Sequence, residues 1–191
     1  MSRPDNRENL QSLQDTIVWA ASEYGVVTGT VVENIDVTAL GKNPTNPPAE
    51  GFIDNVYVMV FTVGTDKVHK NLVKPASYQG TGGLKISYVW TNDGGVDDED
   101  KNVKGQITYK TTTVGDSVSG NTGTLSVEDT YTSALGYIEH KSGYMTIPHA
   151  DLDGKDCIYI QFSFETPAGA ALTCDPRLIG ICITYEGRTL A

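Results

Sequence analysis

The sequence has few of the residues that most often carry catalytic or metal chemistry. Its 191 residues include three histidines and three cysteines. The thiols are odd in number and form no Cys-x-x-Cys pair, so a disulfide-stapled scaffold is not expected. Synthesis in a reducing compartment is expected instead. The nucleophile-elbow, zinc-protease, P-loop and dinucleotide-binding signatures are also missing. These absences predict a protein that is not an enzyme and that holds no cofactor.

Long hydrophobic runs and basic clusters are lacking as well. No apolar stretch approaches the roughly 20 residues that cross a bilayer, and no signal-peptide core follows Met1. Lys and Arg number 14 against 24 Asp and Glu, which gives a net charge of −10. Nucleic-acid binding needs clustered basic side chains to neutralise phosphates, so neither a membrane nor a nucleic acid is an expected partner.

Leucine is scarce beside the β-branched residues, and this predicts a mostly β protein. The chain has 22 Thr, 18 Val and 12 Ile but 11 Leu, and its ten Tyr outnumber four Phe. Such side chains fit a pleated, half-buried surface and lose rotamer freedom in a helix.

Eight runs beyond the first fifty residues alternate apolar and polar side chains as strands do. In the last run, Ile179, Ile181 and Ile183 would share one face. Alternation with one polar face is typical of antiparallel sheets. We therefore predict an all-β fold, an antiparallel β-sandwich of about eight strands that is a jelly roll or another two-sheet sandwich. The runs span residues 53–63, 67–73, 84–91, 103–112, 122–132, 143–147, 156–165 and 177–186.

An N-terminal α-helical arm is predicted ahead of this sandwich. Apolar side chains recur at spacings of three and four over residues 5–24, Asp5 and Glu8 resemble a capping box, and Gly25 stands where a C-cap belongs. The helix either packs on its own domain or serves an oligomer as a stem or docking helix. The candidate interface residues are Leu10, Leu13, Ile17, Trp19, Ala20 and Tyr24.

A proline-rich stretch separates the arm from the sandwich. Residues 26–40 alternate as a short strand, and residues 41–51 contain three prolines. Proline lacks an amide donor and restricts the residue before it, so a stiff linker is predicted there. The predicted units are then 1–51, with the arm, strand and linker, and 52–191, with the jelly-roll β-sandwich.

One acidic run is the best candidate for a metal site. Asp93, Asp97, Asp98 and Asp100 lie in a Gly-containing loop, and Ca²⁺ takes about six to eight oxygen ligands. Their order does not match an EF-hand, however, and adjacent carboxylates in a sandwich loop usually form a solvated turn. The solvated turn is the favoured interpretation, and a divalent cation is the alternative.

Histidines and cysteines give weaker indications. His69, His140 and His149 lie far apart in the sequence and lack a second ligand at metal spacing, so surface or strand-edge positions are expected. Cys157 and Cys182 lie in strand patterns, where a free thiol behaves as a small hydrophobe.

Four tyrosines lie in or beside polar loops. Tyr78, Tyr131, Tyr137 and Tyr144 are of this kind. Tyrosine is common at sheet edges and at protein interfaces, so packing is the favoured role. Sugar stacking in a lectin-like site is the alternative.

Residues 127–164, VEDTYTSALGYIEHKSGYMTIPHADLDGKDCIYIQFSF, carry a resemblance to a known family. A Thr/Ser-rich strand is followed by a short link, a TIP-x-A-D-L phrase, a GKD turn and an alternating strand. This order resembles the jelly-roll virion structural proteins of tailed bacteriophages, among them capsid decoration (cement) proteins and tail appendages. The resemblance implies a homotrimer on the outer surface of a virion, attached by its N-terminal segment to the major capsid protein or another virion protein after synthesis in the host bacterial cytoplasm. It implies no catalytic residues.

The favoured function is therefore a non-enzymatic virion structural protein, a capsid decoration protein that stabilises the shell through its N-terminal arm. The alternative is a tail or fibre protein whose β-sandwich binds a host glycan. A third possibility is a secreted carbohydrate-binding module or a hydrolase with an unrecognised site. This possibility is disfavoured, because a signal sequence or a second catalytic domain would be expected with it. The first function predicts that deletion of residues 1–51 leaves a folded sandwich without shell affinity, and the second predicts that the sandwich binds saccharide.

Overall fold

Alternating apolar side chains build two antiparallel sheets that pack face to face. The computed structural model describes residues 26–78 and 80–190, and it confirms the predicted all-β jelly-roll sandwich. A four-residue helix, α1 (His149–Leu152), interrupts the strands. The strands are β1 (Val26–Asp36), β2 (Gly41–Lys42), β3 (Ala49–Ile53), β4 (Val56–Val60), β5 (Lys67–Val73), β6 (Leu84–Thr91), β7 (Asn102–Thr112), β8 (Gly123–Thr130), β9 (His140–Lys141), β10 (Met145–Ile147), β11 (Cys157–Glu165) and β12 (Arg177–Leu190).

The predicted helical arm falls outside the described residues. So do its candidate interface residues, which are Leu10, Leu13, Ile17, Trp19, Ala20 and Tyr24.

One sheet has seven strands and the other has five. The first runs β10-β6-β12-β4-β3, with β1 paired to β12 and β9 paired to β6, and the second runs β2-β5-β11-β7-β8. Strand β12 pairs with β4 through Arg177 and Leu178 and with β1 from Gly180 onward. Both β1 and β4 therefore lie on the side of β12 opposite β6.

The inner faces of the two sheets share one apolar core. Phe61 lies between them and packs edge-to-face on Phe162 and Phe164 of β11, with ring centroids 5.9 and 5.3 Å apart. Pairs of this kind contribute about 0.5–1.5 kcal/mol beyond the burial of their area. Strand β6 buries its alternate residues in this core, with Leu84, Ile86, Tyr88 and Trp90 all almost inaccessible to solvent.

Gly105 faces the core from β7 and leaves room for the ring of Tyr88. A Cβ atom on Gly105 would lie 2.2 Å from Cε1 of Tyr88, far inside contact distance. The Tyr88 hydroxyl accepts a hydrogen bond from the Gly105 amide and donates one to the Val127 carbonyl, both at 3.2 Å. Burial raises the pKa of Tyr88, and the two hydrogen bonds satisfy its hydroxyl inside the core.

A β-bulge in β12 changes the face on which Ile179 lies. The pairing with β6 shifts register between Leu178 and Gly180. Leu178, Ile181 and Ile183 belong to the core, whereas Ile179 lines a surface groove. The prediction that Ile179 shares a face with Ile181 and Ile183 is wrong, because the extra residue of a bulge moves the alternation by one position.

The strand and proline-rich stretch before residue 52 are built into the sandwich. Strand β1 pairs with β12 along all 11 of its residues, β2 pairs with β5, and β3 pairs with β4. Val37 and Leu40 lie in the core, and residues 43–48 form the loop between β2 and β3. Within the described part of the chain, no boundary between units falls at residue 51. Because most of these pairings join residues far apart in the sequence, a local sequence pattern does not predict them.

Candidate functional site

The acidic run does not assemble into one site. Asp98 is fully buried and accepts hydrogen bonds from the Thr173 amide at 2.6 Å, the Thr173 hydroxyl at 2.7 Å and Nδ2 of Asn92 at 2.8 Å. These donors engage both carboxylate oxygens, so Asp98 joins its own loop to the segment before β12. Asp97 and Asp100 are exposed.

Asp93, the fourth member of the run, pairs with Arg177 of β12. Burial raises the pKa of Asp93, but hydrogen bonding and the charge of Arg177 outweigh it, so the net pKa lies below the usual value. No group of three His, Cys, Asp or Glu side chains among residues 26–78 and 80–190 has the geometry of a metal site. Asp97 and Asp100 are thus exposed loop residues, whereas Asp93 and Asp98 join the loop to residues before and within β12.

The four loop tyrosines lie in different surroundings. Tyr78 and Tyr131 are buried in the core, where they pack against other side chains. Tyr137 and Tyr144 are 49% and 53% exposed. A cation lies over each of these two rings, and no aromatic contact described for this part of the chain joins them. The four tyrosines are therefore not brought together in a sugar-stacking site.

Two of the three histidines pack beside aromatic rings. The His140 ring lies 4.7 Å from that of Tyr131, and the His149 ring lies 6.0 Å from that of Tyr78. His69 instead lies on the outer face of the five-stranded sheet. The three cysteines are free thiols; Cys182 is buried and the other two are half-buried. No helix in the described residues has the length and hydropathy of a membrane span.

A groove of about 650 Å³ runs over the outer face of the five-stranded sheet, where β5, β11 and β7 lie side by side. Because the apolar side chains of these strands point into the core, the alternate side chains point outward into the groove. Two rows of polar side chains cross the three strands. The strand register places His69, Gln161 and Thr108 in one row and Asn71, Tyr159 and Lys110 in the next.

The loop between β7 and β8 forms one wall of the groove through Val118, Gly120 and Asn121. Asp116 holds this loop, because its carboxylate accepts hydrogen bonds from the amide and the hydroxyl of Thr113 at 2.9 and 2.8 Å. These hydrogen bonds, with a smaller contribution from Lys155, lower the pKa of Asp116 to about 2. The wall is therefore held by contacts within the loop and by the ion pair with Lys155.

Asn43 sets the protonation of His69. The Asn43 side-chain oxygen accepts hydrogen bonds from the amides of Thr45 and Asn46 at 2.8 and 3.1 Å. This leaves its Nδ2 to donate to Nε2 of His69 at 3.1 Å. An imidazole nitrogen that accepts a hydrogen bond carries no proton, so His69 is neutral with its proton on Nδ1. Burial and the charge of Lys67 also lower the pKa of His69.

Five of the six residues in these two rows are absent from the sequence candidates: Asn71, Thr108, Lys110, Tyr159 and Gln161. They are the polar residues of the alternating strand runs, and the apolar residues of the same runs predict the core. A polar outer face is common to many antiparallel sheets. Only the cross-strand register shows which polar side chains are neighbours.

No protein-family model matches the chain, and no curated protein matches it in sequence. Solved structures do match. The xylan-binding module CBM15 has a TM-score of 0.47 and 9% identity over 84% of this chain and 100% of the module. The CBM2 module of the evolved Dit of Lactobacillus casei BL23 phage J-1 has a TM-score of 0.34 and 8% identity over 84% of this chain and 91% of that one.

A viral particle protein is a further structural neighbour. The infectious bursal disease virus VP2 subviral particle has a TM-score of 0.39 and 12% identity over 83% of this chain and 33% of that one. The structural neighbours thus include carbohydrate-binding β-sandwich modules as well as phage and viral proteins.

Proposed function

We propose that this protein binds a glycan in the groove on its five-stranded sheet and does not transform it. The observation that carries the proposal is the groove itself, about 650 Å³ in volume, which Tyr159 lines together with amide, hydroxyl, ammonium and imidazole groups. Binding pockets for small ligands typically measure about 300–1,000 Å³ and combine apolar surface with a few convergent polar groups. Sugars match such a lining because they present C–H faces and hydroxyl edges.

The dimensions of the groove suit a short saccharide. Neighbouring strands lie about 4.8 Å apart, so the distance from β5 to β7 is roughly 10 Å. Rows on one face of a strand repeat every second residue, roughly 7 Å apart. A disaccharide laid across the strands would contact both rows at once.

Tyr159 would supply the stacking surface. It is half-buried on the central strand β11, with Asn71 and Lys110 as its cross-strand neighbours. Neighbours on both sides restrict its ring before a ligand arrives, so little side-chain entropy would be lost on binding. The flanking amide and ammonium groups would then donate hydrogen bonds to sugar oxygens.

This proposal corresponds to the tail or fibre protein with a glycan-binding β-sandwich. The capsid-decoration function depends on the N-terminal arm, which lies outside the described residues. The homotrimer, the capsid partner, the virion location and the absence of enzyme activity stay predictions.

Replacement of Tyr159 tests the proposal. A glycan array with the full chain selects a saccharide, and titration calorimetry measures its affinity. We expect Tyr159→Ala to weaken binding about tenfold or more, the loss of at least ~1.4 kcal/mol that marks a central contact. Tyr144→Ala is the matched control, because Tyr144 is exposed on the other sheet, and it should bind as the parent does. An array without a bound saccharide, or full affinity in Tyr159→Ala, would refute the proposal.

A further inference from the structure

The groove differs in charge from the rest of the chain. The sequence carries 24 acidic residues and a net charge of −10. Yet none of the 11 residues that line the groove is acidic, and two of them, His69 and Lys110, are basic. Among the described residues of this sheet face, Glu128 and Glu165 lie at one end, where both are paired across strands with Lys104.

Lys110 has no carboxylate partner within the described residues. The four ion pairs found there use the basic side chains of Lys42, Lys101, Lys155 and Arg177. Lys110 is half-buried beside Tyr159. An ammonium group without a counter-charge can pair with an anion that enters the groove.

Lys67 places a second positive charge near the groove. Lys67 is two residues from His69 on β5 and on the same face. Its charge acts together with burial to lower the pKa of His69, which shows that this part of the groove disfavours a further cation. Because Asn43 already donates to Nε2 of His69, the ring is left with a neutral N–H donor at Nδ1. The groove therefore offers positive charge and hydrogen-bond donors.

From this arrangement we infer that the glycan is an anionic one and that Lys110 receives its acidic group. The inference rests on the proposed function, because it names the substrate class of the same groove. Tyr159 stacks on a sugar ring, while Lys110, its neighbour in the same row, pairs with a carboxylate or phosphate on that ring or the next. A protein of high negative charge repels polyanions elsewhere on its surface, so such a ligand would bind in this groove, whose lining residues include no acidic one.

The test compares matched charged and neutral saccharides on the full chain. Oligogalacturonate and its methyl ester differ in the carboxylate charge, and a phosphorylated mannan and its unphosphorylated form differ in the phosphate. We expect at least one charged member to bind about tenfold more tightly than its neutral partner, and that preference to shrink as salt is raised. The pair that shows the preference identifies the anion as carboxylate or phosphate.

Two variants of strand β7 separate a specific contact from net charge. Lys110→Gln and Lys104→Gln remove the same charge from the same strand and the same face. Lys110→Gln should lower the affinity for the charged saccharide about tenfold and remove most of its preference over the neutral partner. Lys104→Gln should change neither affinity by more than about twofold. Thermal unfolding of both variants confirms that they fold.

The possible failures are distinguishable. If neutral saccharides bind as tightly as charged ones and Lys110→Gln has no effect, the anionic inference is overturned and the glycan-binding proposal stands. If Lys104→Gln weakens binding as much as Lys110→Gln, the attraction is general and Lys110 is not the receiving group. If no saccharide of either kind binds, both proposals fail.

Discussion

At the scale of single residues, neighbouring carboxylates with the same sequence signal have opposite roles. Asp97 and Asp98 are adjacent in the acidic run, but Asp97 is exposed and Asp98 is fully buried. The difference arises from Thr173, 75 positions further along the chain, whose amide and hydroxyl both donate to Asp98. A local pattern of aspartates predicts a loop and does not reveal which carboxylate the rest of the fold uses.

Asp98→Ala should destabilise the protein strongly. The substitution removes a fully buried carboxylate and leaves the donors of Thr173 and of the buried Asn92 without their acceptor, so a cost of about 3 kcal/mol or more in the free energy of unfolding is expected. Asp97→Ala, at an exposed position, should change it by no more than about 0.5 kcal/mol. Urea denaturation measures both. Equal stabilities in the two variants would show that Asp98 does not anchor the loop.

His69 should make the stability of the protein sensitive to mild acid. The pKa of His69 is lowered in the folded state from its ordinary value of 6.5, mainly by burial and also by Lys67. The unfolded chain therefore takes up a proton first as the pH falls, so this contribution is present above pH 6.5 and is lost below it. His69→Gln should have a flatter profile of unfolding free energy between about pH 7.5 and 5.

Denaturation at several pH values checks this expectation. His140 and His149 are present in both the parent and His69→Gln, so their contributions cancel when the two profiles are subtracted. Parallel profiles would mean that His69 titrates alike in the folded and unfolded chains.

At the scale of elements, local alternation predicts where most strands lie. It does not predict which strands pair with each other. The runs 67–73 and 84–91 have the bounds of β5 and β6, and the later runs differ from their strands by a few residues. The bulge in β12 and the pairing of β1 with β12 were not foreseen. Both depend on a neighbouring strand, which a single segment of sequence does not contain.

Strand β1 should be essential to the sandwich. Its Val31 and Ile35 pack against the core, and its 11 residues all pair with β12. Deletion of residues 1–36 removes these contacts and should lower Tm by about 10 °C or more, or prevent folding.

Deletion of residues 1–25 is the matched control, because it leaves every described contact in place. Thermal unfolding compares the two truncations. The same Tm in both would contradict a structural role for β1. These two truncations are preferable to the deletion of residues 1–51 that the sequence suggests. That deletion removes β1, β2 and most of β3.

At the scale of the whole molecule, the alternation of apolar and polar residues produces both the apolar core and the polar outer face of the five-stranded sheet. Apolar side chains of both sheets meet in the core, and the alternate polar side chains of β5, β11 and β7 meet on the outside. The same register that packs Ile158 and Ile160 inward therefore lines up Tyr159 and Gln161 outward. The loop after β7 walls this face, so a flat sheet becomes a groove.

The sequence by itself determined the β class and most strand positions, because alternation and β-branched content are local properties. The tertiary structure alone decided that β1 completes the seven-stranded sheet, that Asp98 is an anchor, and that Tyr159 and Lys110 are neighbours on an acid-free groove. The physical reason is cross-strand pairing. It fixes distances between residues that lie tens of positions apart, and it therefore sets which side chains meet only once the chain has folded.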